Sequence, residues 1–300
     1  MLAIIIPYYK FTFFEATLES LANQTDKRFK VYIGDDASRE CPSQLLEECK
    51  DKFDFIYYRF ENNLGGESLT KQWKRCIDLS KNEDWIMILG DDDVVGENVV
   101  EAFYDNLPEI KRIGTNVVKY ASQTNDISKN IFSKIHYHSK LEDAAAFYYN
   151  RFKGQVRSSL SEHVFKREVY LKHGFKNYPL AWHSDDYAWL AFAEEKPMYC
   201  INEAVVTIKI SSGSITGNNQ NLVRKNVAEA LFFTDLIQTQ IHLFLKTQRL
   251  ELLYQAEVSL KKNNKLSYSQ WVILAKGYVC NFSLIPIAKF IRRIVMQSIK

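Results

Sequence analysis

Within the first hundred residues four short apolar runs alternate with amphipathic stretches, and this alternation constrains the fold more than any other feature. Leu2 to Ile6 reads as a buried strand stopped by Pro7, and Phe29 to Ile33, Phe53 to Phe60 and Trp85 to Leu89 read as the next three. Between them, Phe14, Leu18 and Leu21 recur at helical spacing within Phe13 to Ala22. Ser43 to Lys50 forms a helix entered just after Pro42, and Ser68 to Leu79 turns Leu69, Trp73, Cys76 and Ile77 inward. A further helix is expected around Val99 to Leu107. Strand and helix at this period make right-handed βαβ units and a mainly parallel sheet. The fold class is α/β.

From Arg112 to Thr207 the pattern loosens. A strand is expected over Ile113 to Tyr120, a polar loop over Gln123 to Ser139, helices over Leu141 to Phe152 and Asp185 to Glu195, and a late strand over Ala204 to Ile210. Ser211 to Asn221 is polar and rich in Ser, Gly and Asn, and only helices follow it. The expected division is a catalytic-type α/β domain over 1–215 and a helical region over 216–300. At 300 residues the chain has ample core for both. No run reaches the roughly 18 apolar residues that span a bilayer, and the N-terminus lacks the basic segment of a signal peptide. Cys41, Cys49, Cys76, Cys200 and Cys280 are odd in number, widely spaced and form no CxxC pair, which argues against a disulfide framework or zinc site and fits a reducing cytoplasm.

Ligands of an open parallel sheet bind beyond the carboxyl ends of its strands, where loops and helix N-termini converge. The residues there are Pro7-Tyr8-Tyr9, then Gly34-Asp35-Asp36-Ala37-Ser38, then Glu61 to Gly66, then Gly90-Asp91-Asp92-Asp93. Three adjacent aspartates after a buried strand repel one another unless a cation offsets them. Mg²⁺ or Mn²⁺, held by one or two carboxylates and bringing phosphate ligands with it, is the economical solution. A solvated acidic turn whose aspartates cap the next helix is the alternative. Asp36 suits either a hydrogen bond from a nucleobase or ribose, or a helix-entry cap. Asn62 to Gly66 offers backbone N–H groups suited to a turn or a pyrophosphate. Neither GxGxxG after the first strand nor GxxxxGK[ST] anywhere is present, so the dinucleotide and P-loop readings lose their fingerprints.

Ile4-Ile5-Ile6-Pro7-Tyr8-Tyr9, Leu18-Glu19-Ser20-Leu21 with Gln24-Thr25, Asp35-Asp36-Ala37-Ser38, Asn63-Leu64-Gly65 and Leu89-Gly90-Asp91-Asp92-Asp93, in that order, resemble the family 2 inverting glycosyltransferases of GT-A fold. The resemblance covers about residues 1 to 215. It implies that Asp36 hydrogen-bonds the base of a nucleotide sugar in a pocket lined by Pro7 and Tyr9, with Asn63 and Gly65 beside the donor. It implies DXD-type acids at Asp91 and Asp92, with Asp92, and Asp93 beside it, on a Mn²⁺ or Mg²⁺ ion. One departure is visible: the first aspartate of the family's pattern falls on Gly90, which shifts contacts with the donor ribose or sugar to Asp91 or Asp93. The resemblance also implies a general base on a later helix, since inversion by direct displacement needs the acceptor hydroxyl deprotonated on the face opposite the leaving group. Asp186 falls on that base and Asp185 on its acidic neighbour, both also suited to capping their helix. Lys209, in Lys209-Ile210-Ser211-Ser212-Gly213-Ser214, falls on the family's basic loop near the diphosphate, a place a solvated lysine also fits. His183, a metal ligand or polar lining by its position three residues before Asp186, reads as lining, and His136 and His138 sit in a polar loop with no role assigned.

The function expected from this resemblance is single-sugar transfer from a nucleoside-diphosphate donor to a saccharide hydroxyl, in capsule, O-antigen or other surface-polysaccharide synthesis. The lack of QxxRW and of spanning helices argues against a processive synthase. A metal-dependent nucleotidyl- or phosphotransferase, or an inactive sugar-nucleotide-binding module, is the rival. The net charge of +3 hides an asymmetry: residues 246–300 carry ten Lys or Arg against Glu251 and Glu257, a balance of +8, leaving −5 for the rest. That does not describe a nucleic-acid-binding domain. In Ile287 to Lys300, Ile287, Phe290, Ile291, Ile294, Val295 and Ile299 share a broad face opposite Lys289, Arg292, Arg293 and Lys300. This is the form of an in-plane membrane helix meeting a lipid-linked acceptor at the inner face of the membrane. It is equally the form of a helix packed on the domain or on a second subunit of an oligomer.

Overall fold

The computed structural model describes residues 1–211, 221–263 and 265–298. The chain divides into two compact units, Met1–Gln220 and Asn221–Lys300. The expected break at 215/216 lies within 212–220, outside the described residues, as do Ser212, Gly213 and Ser214.

In the first unit the elements run β1 (Leu2–Tyr8), α1 (Phe14–Ala22), β2 (Phe29–Asp35), α2 (Ser43–Cys49), β3 (Phe55–Arg59), α3 (Leu69–Ile77), β4 (Trp85–Ile88), β5 (Val94–Val95) and α4 (Val99–Ile113). They continue through β6 (Val117–Asp126), β7 (Ile131–Phe132), β8 (Leu141–Glu142), α5 (Ala144–Phe152), β9 (His163–Lys166), α6 (Arg167–His173), α7 (Ser184–Ala193) and β10 (Met198–Ile210). One sheet runs β3-β2-β1-β4-β9-β6-β10-β5, with β7 on β6 and β8 on β10. β3, β2, β1 and β4 are parallel, with Leu2 opposite Phe29 on one side and Trp85 on the other. β1 and β4 are apolar throughout because helices cover both faces of a parallel sheet. Phe14, Leu18 and Leu21 are buried from α1, as their spacing requires.

Several boundaries differ from the sequence reading. β1 continues through Pro7, which pairs with Gly34, to Tyr8. On α3, Leu69 and Trp73 are only half-buried, whereas Thr70 and Gln72 are buried. The Gln72 amide lies inside because its Nε2 donates to the Gly34 carbonyl at 3.1 Å. The supposed loop from Gln123 instead extends β6 to Asp126, where Asn125 pairs with Phe132 of β7. β10 begins at Met198, not Ala204, and carries an irregularity between Ile201 and Val205. β9 runs antiparallel to both β4 and β6. Its start therefore meets the carboxyl end of β4, and β6 and β10 finish on that same edge.

The second unit is helical: α8 (Leu222–Asp235), α9 (Lys246–Asn263), α10 (Tyr268–Cys280) and α11 (Leu284–Ser298). Phe232, Phe233, Leu252, Leu253, Leu274 and Tyr278 are buried. Phe290 of α11 stacks on Tyr278 at 4.4 Å between ring centres, and Arg293 donates to buried Glu257 at 2.8 Å. α10 starts in a capping box of Ser267 and Gln270. No described helix is long and apolar enough to cross a membrane.

Candidate active site

The carboxyl edge of the sheet gathers the ends of β1, β2, β4 and β10 with the start of β9. β4 delivers Gly90 to Asp93 there. Asp91 Oδ2 accepts from the backbone N–H groups of Tyr9 and Lys10, each at 2.7 Å, so this carboxylate ties down the loop after β1. Asp93 is buried, its Oδ1 accepting from Lys209 N at 3.0 Å and its Oδ2 from the Ser161 hydroxyl. Ser161 Oγ in turn accepts from Gly90 N at 3.0 Å. Burial pushes Asp91 up to about 6, and burial together with the charge of Asp92 pushes Asp93 up to about 7. Asp92 is half-buried, and Lys10 and Lys209 pull its pKa down against a larger upward push from burial. The sequence reading paired Asp93 with Asp92 on a metal and moved donor contacts from Gly90 to Asp91 or Asp93. The geometry gives Asp93 and one oxygen of Asp91 internal partners, whereas Asp92 is half-buried with Lys10 and Lys209 near it. Glycine at position 90 has a steric cause: a Cβ there would stand 2.9 Å from Asp93 Oδ2 and 3.1 Å from Asp92 Oδ1.

β2 delivers two acids with different fates. Asp35 is structural, its Oδ1 accepting from Ser38 N at 2.7 Å and its Oδ2 from Arg59 Nη1 at 2.8 Å. Asp36 is buried and accepts from Leu64 N at 2.7 Å, Gly65 N at 2.9 Å and Arg75 Nη2. A carboxylate has about four acceptor positions, so one remains for a further donor. Gly65 is needed because a Cβ would come within 2.6 Å of Asp36 Oδ2. Asn63 closes its own turn, Oδ1 accepting from Gly66 N at 2.6 Å. Arg75, which sequence reasoning missed, also stacks on Phe60 at 3.9 Å. Pro7 is half-buried and Tyr9 exposed at this edge.

The acidic pair of α7 reaches the same edge by an unusual path. Asn177 Oδ1 accepts from Ser68 Oγ at 2.6 Å and Thr70 Oγ1 at 2.9 Å, pinning the preceding segment to the start of α3. Leu180, Ala181 and His183 then adopt left-handed backbone, with φ of 61°, 51° and 67°. Such non-glycine conformations are costly and persist where the surroundings enforce them. Asp186 Oδ1 accepts from Arg151 Nε at 2.5 Å, and His183 Nδ1 lies 2.8 Å from Oδ2, leaving the side chain 1% exposed. Burial opposes ionisation of Asp186, but the Arg151 guanidinium and His183 outweigh it and hold the carboxyl well below the usual range. Asp185 is half-buried, and burial with the adjacent Asp186 charge pushes it up to about 6. Arg151, on α5 and 35 residues away in sequence, had no signal of its own.

Among the described residues no trio of His, Cys, Asp or Glu converges, and the carboxylate of this turn left to meet a cation that brings its own phosphate ligands would be the half-buried Asp92. His136 and His138 lie elsewhere, near and on the strand pairings of β6 and β10, with His138 N donating to Asn202 Oδ1 at 2.9 Å.

The comparisons agree with this architecture. S. aureus TarS 1-349 in complex with UDP-GlcNAc superposes with a TM-score of 0.62 at 12% identity, covering 93% of this chain and 80% of that one. Its complex with UDP gives 0.61 at 13%, covering 96% and 82%. S. aureus TarS in its longer form gives 0.62 at 12%, covering 96% of this chain and 50% of that one. At such identity the likeness shows a shared fold, and it is the GT-A-like sheet with flanking helices expected from the sequence. Curated protein sequences yield no match. The model of glycosyl transferase family 2 matches residues 3–166, more than half of the chain, which therefore belongs to that family and is a glycosyltransferase.

Proposed function

We propose that this enzyme transfers one sugar, with inversion, from a nucleoside-diphosphate donor to a saccharide hydroxyl in surface-polysaccharide synthesis. The observation that carries the reading is Asp92: a half-buried carboxylate at the end of β4, with Lys10 and Lys209 near enough to influence its charge. Asp92 would hold Mn²⁺ or Mg²⁺, whose chemistry there is to neutralise charge developing on the departing diphosphate. Lys10 and Lys209 add positive charge for the same phosphates. Asp36, held by Leu64 N, Gly65 N and Arg75, offers its remaining acceptor position to a nucleobase N–H. TarS, whose structures hold UDP-GlcNAc and UDP, supports a nucleotide-sugar donor by analogy of fold.

The proton of the acceptor hydroxyl goes, in this reading, to Asp185. A general base needs access to its substrate and a pKa near the working pH. Asp185 is half-buried and pushed up to about 6, whereas Asp186 is enclosed by Arg151 and His183 and acts as a positioning residue. This reverses the order of preference that the family resemblance gave to the pair. Environments that push two neighbouring carboxyls apart are a recurring mark of divided acid–base roles.

The reading is tested by melting the protein with UDP, GDP, dTDP and CMP, each with and without Mn²⁺, because a ligand of the native state raises stability by mass action. One nucleoside diphosphate is expected to raise the Tm, and more so with Mn²⁺. No shift with any nucleotide overturns the donor proposal. Binding without turnover or hydrolysis of any donor sugar leaves a sugar-nucleotide-binding module instead.

A further inference from the structure

The helical unit carries an apolar surface that its own packing does not consume. On α11 the broad face seen in the sequence is split. Phe290 is buried and Ile287 and Ile294 are half-buried, whereas Ile291 (53%) and Val295 (50%) stay exposed. Together with Leu284, which is 74% exposed, and Ala288 they recur at i, i+4, i+7 and i+11, a single stripe along the helix. α10 repeats the spacing with Tyr268, Val272, Ala275 and Val279, of which all but Ala275 are exposed. Phe282 and Ile285, in and after the short turn between the two helices, are exposed as well. Monomeric soluble proteins rarely leave apolar residues contiguous on this scale without a partner.

The charge pattern identifies the occupant. From Lys265 to Lys300 the sequence holds Lys265, Lys276, Lys289, Arg292, Arg293 and Lys300, and no Asp or Glu. Arg293 is held by Glu257 within the unit and Lys289 lines a cavity with Glu251, but Lys276 and Arg292 are exposed beside the stripes. A symmetric contact with a second copy through this surface would set Lys276 and Arg292 of each copy against those of the other with no acid beside them, which disfavours it. An anionic bilayer meets both features, accepting the apolar residues between acyl chains and the cations at the headgroups.

We propose that α10 and α11 form a docking face for an anionic lipid bilayer, lying in its plane rather than crossing it. The inference does not rest on the donor or base assignments.

The test is co-sedimentation of the full chain with phosphatidylcholine vesicles with and without phosphatidylglycerol. Binding to the anionic vesicles is expected to exceed binding to neutral ones at least tenfold, and to collapse near 1 M salt, where the Debye length falls to about 3 Å. Lys276→Gln with Arg292→Gln should weaken binding about 25-fold, at about fivefold per basic residue near the surface. Ile291→Ser with Val295→Ser should weaken it at any salt while leaving the Tm unchanged, since both side chains are already half exposed. Equal binding to neutral and anionic vesicles, or binding untouched by both pairs, overturns the proposal. So does an oligomer in solution that Ile291→Ser with Val295→Ser dissolves, if the full chain ignores vesicles. Should the serine pair lower the Tm, the glutamine pair decides alone, and its failure to weaken binding counts against the proposal.

Discussion

The turn after β4 and the start of α7 both place acids at one edge of the sheet, yet the two clusters are stabilised differently. Asp91 and Asp93 are tied by neutral donors: Tyr9 N, Lys10 N, Lys209 N and the Ser161 hydroxyl. Asp186 is tied by a guanidinium. Neutral donors satisfy lone pairs without cancelling charge, so the turn stays electron-rich and its buried acids are hard to ionise. Arg151 supplies a full countercharge inside the fold, so Asp186 ionises readily and its neighbour Asp185 bears the repulsion. In the function proposed above, one cluster is completed by a cation from outside. The other has its cation already and leaves one carboxyl poised for a proton.

The contrast breaks first at Asp92, where the largest effect is expected. Asp92→Asn should cut transfer about 10³-fold, the scale on which one well-placed electrostatic group acts. It should also abolish the Mn²⁺-dependent part of nucleotide binding. Wild-type turnover by the variant, or undiminished activity of the native enzyme in excess EDTA, removes the need for an outside cation.

The second cluster is probed by three substitutions and a pH profile. Under the base assignment proposed above Asp185 works as the carboxylate, so kcat/KM of the native enzyme should fall as pH drops through about 6. Asp185→Asn should lower kcat by about 10² to 10⁴ and erase that limb, with donor affinity unchanged. Asp186→Asn removes the charge that raises Asp185 and should move the limb to lower pH. Arg151→Gln removes a charge that lowers Asp185 and should move it to higher pH. If Asp186→Asn erases the limb and Asp185→Asn merely shifts it, the two roles exchange.

Much of this was legible in the sequence, and what was not has a physical reason. β1 and β4 are strings of apolar residues because both of their faces are covered, so their ends, and hence Tyr9 and Asp91 to Asp93, could be placed from the chain alone. β9 is four residues long between Glu162 and Arg167, too short for a period to show. The polar end of β6 was hidden because Gln123 to Asp126 are held by strand pairing, with β10 throughout and β7 at Asn125 and Asp126, rather than by a core. Within the site, residue type located the acids but not their duties. Only the fold brings Ser161 to Asp93, Arg75 to Asp36 and Arg151 to Asp186, and those partners decide which carboxylates are engaged. The helical wheel of Ile287 to Lys300 likewise showed one face where the structure has two, because the wheel cannot know that Phe290 meets Tyr278.

The smallest effect is expected at Ser161, and it tests the neutral half of the comparison. Its hydroxyl both accepts from Gly90 N and donates to Asp93, so Ser161→Ala removes a partner from two groups at once. Leaving a buried polar group unsatisfied costs about 1–3 kcal/mol. In a domain of this size each kcal/mol shifts the Tm by about 2–4 °C. Activity should fall less than tenfold, because Asp92 keeps its place on the turn as long as Lys209 N still holds Asp93. Asp93 should also become harder to ionise, since the lost hydroxyl had favoured its charged form. The native state would then retain that proton to higher pH, making the variant's deficit in stability greater at pH 8 than at pH 5. A deficit that is the same at both pH values would mean that Asp93 never carries the charge, and that the turn holds fewer negative charges than its three aspartates imply.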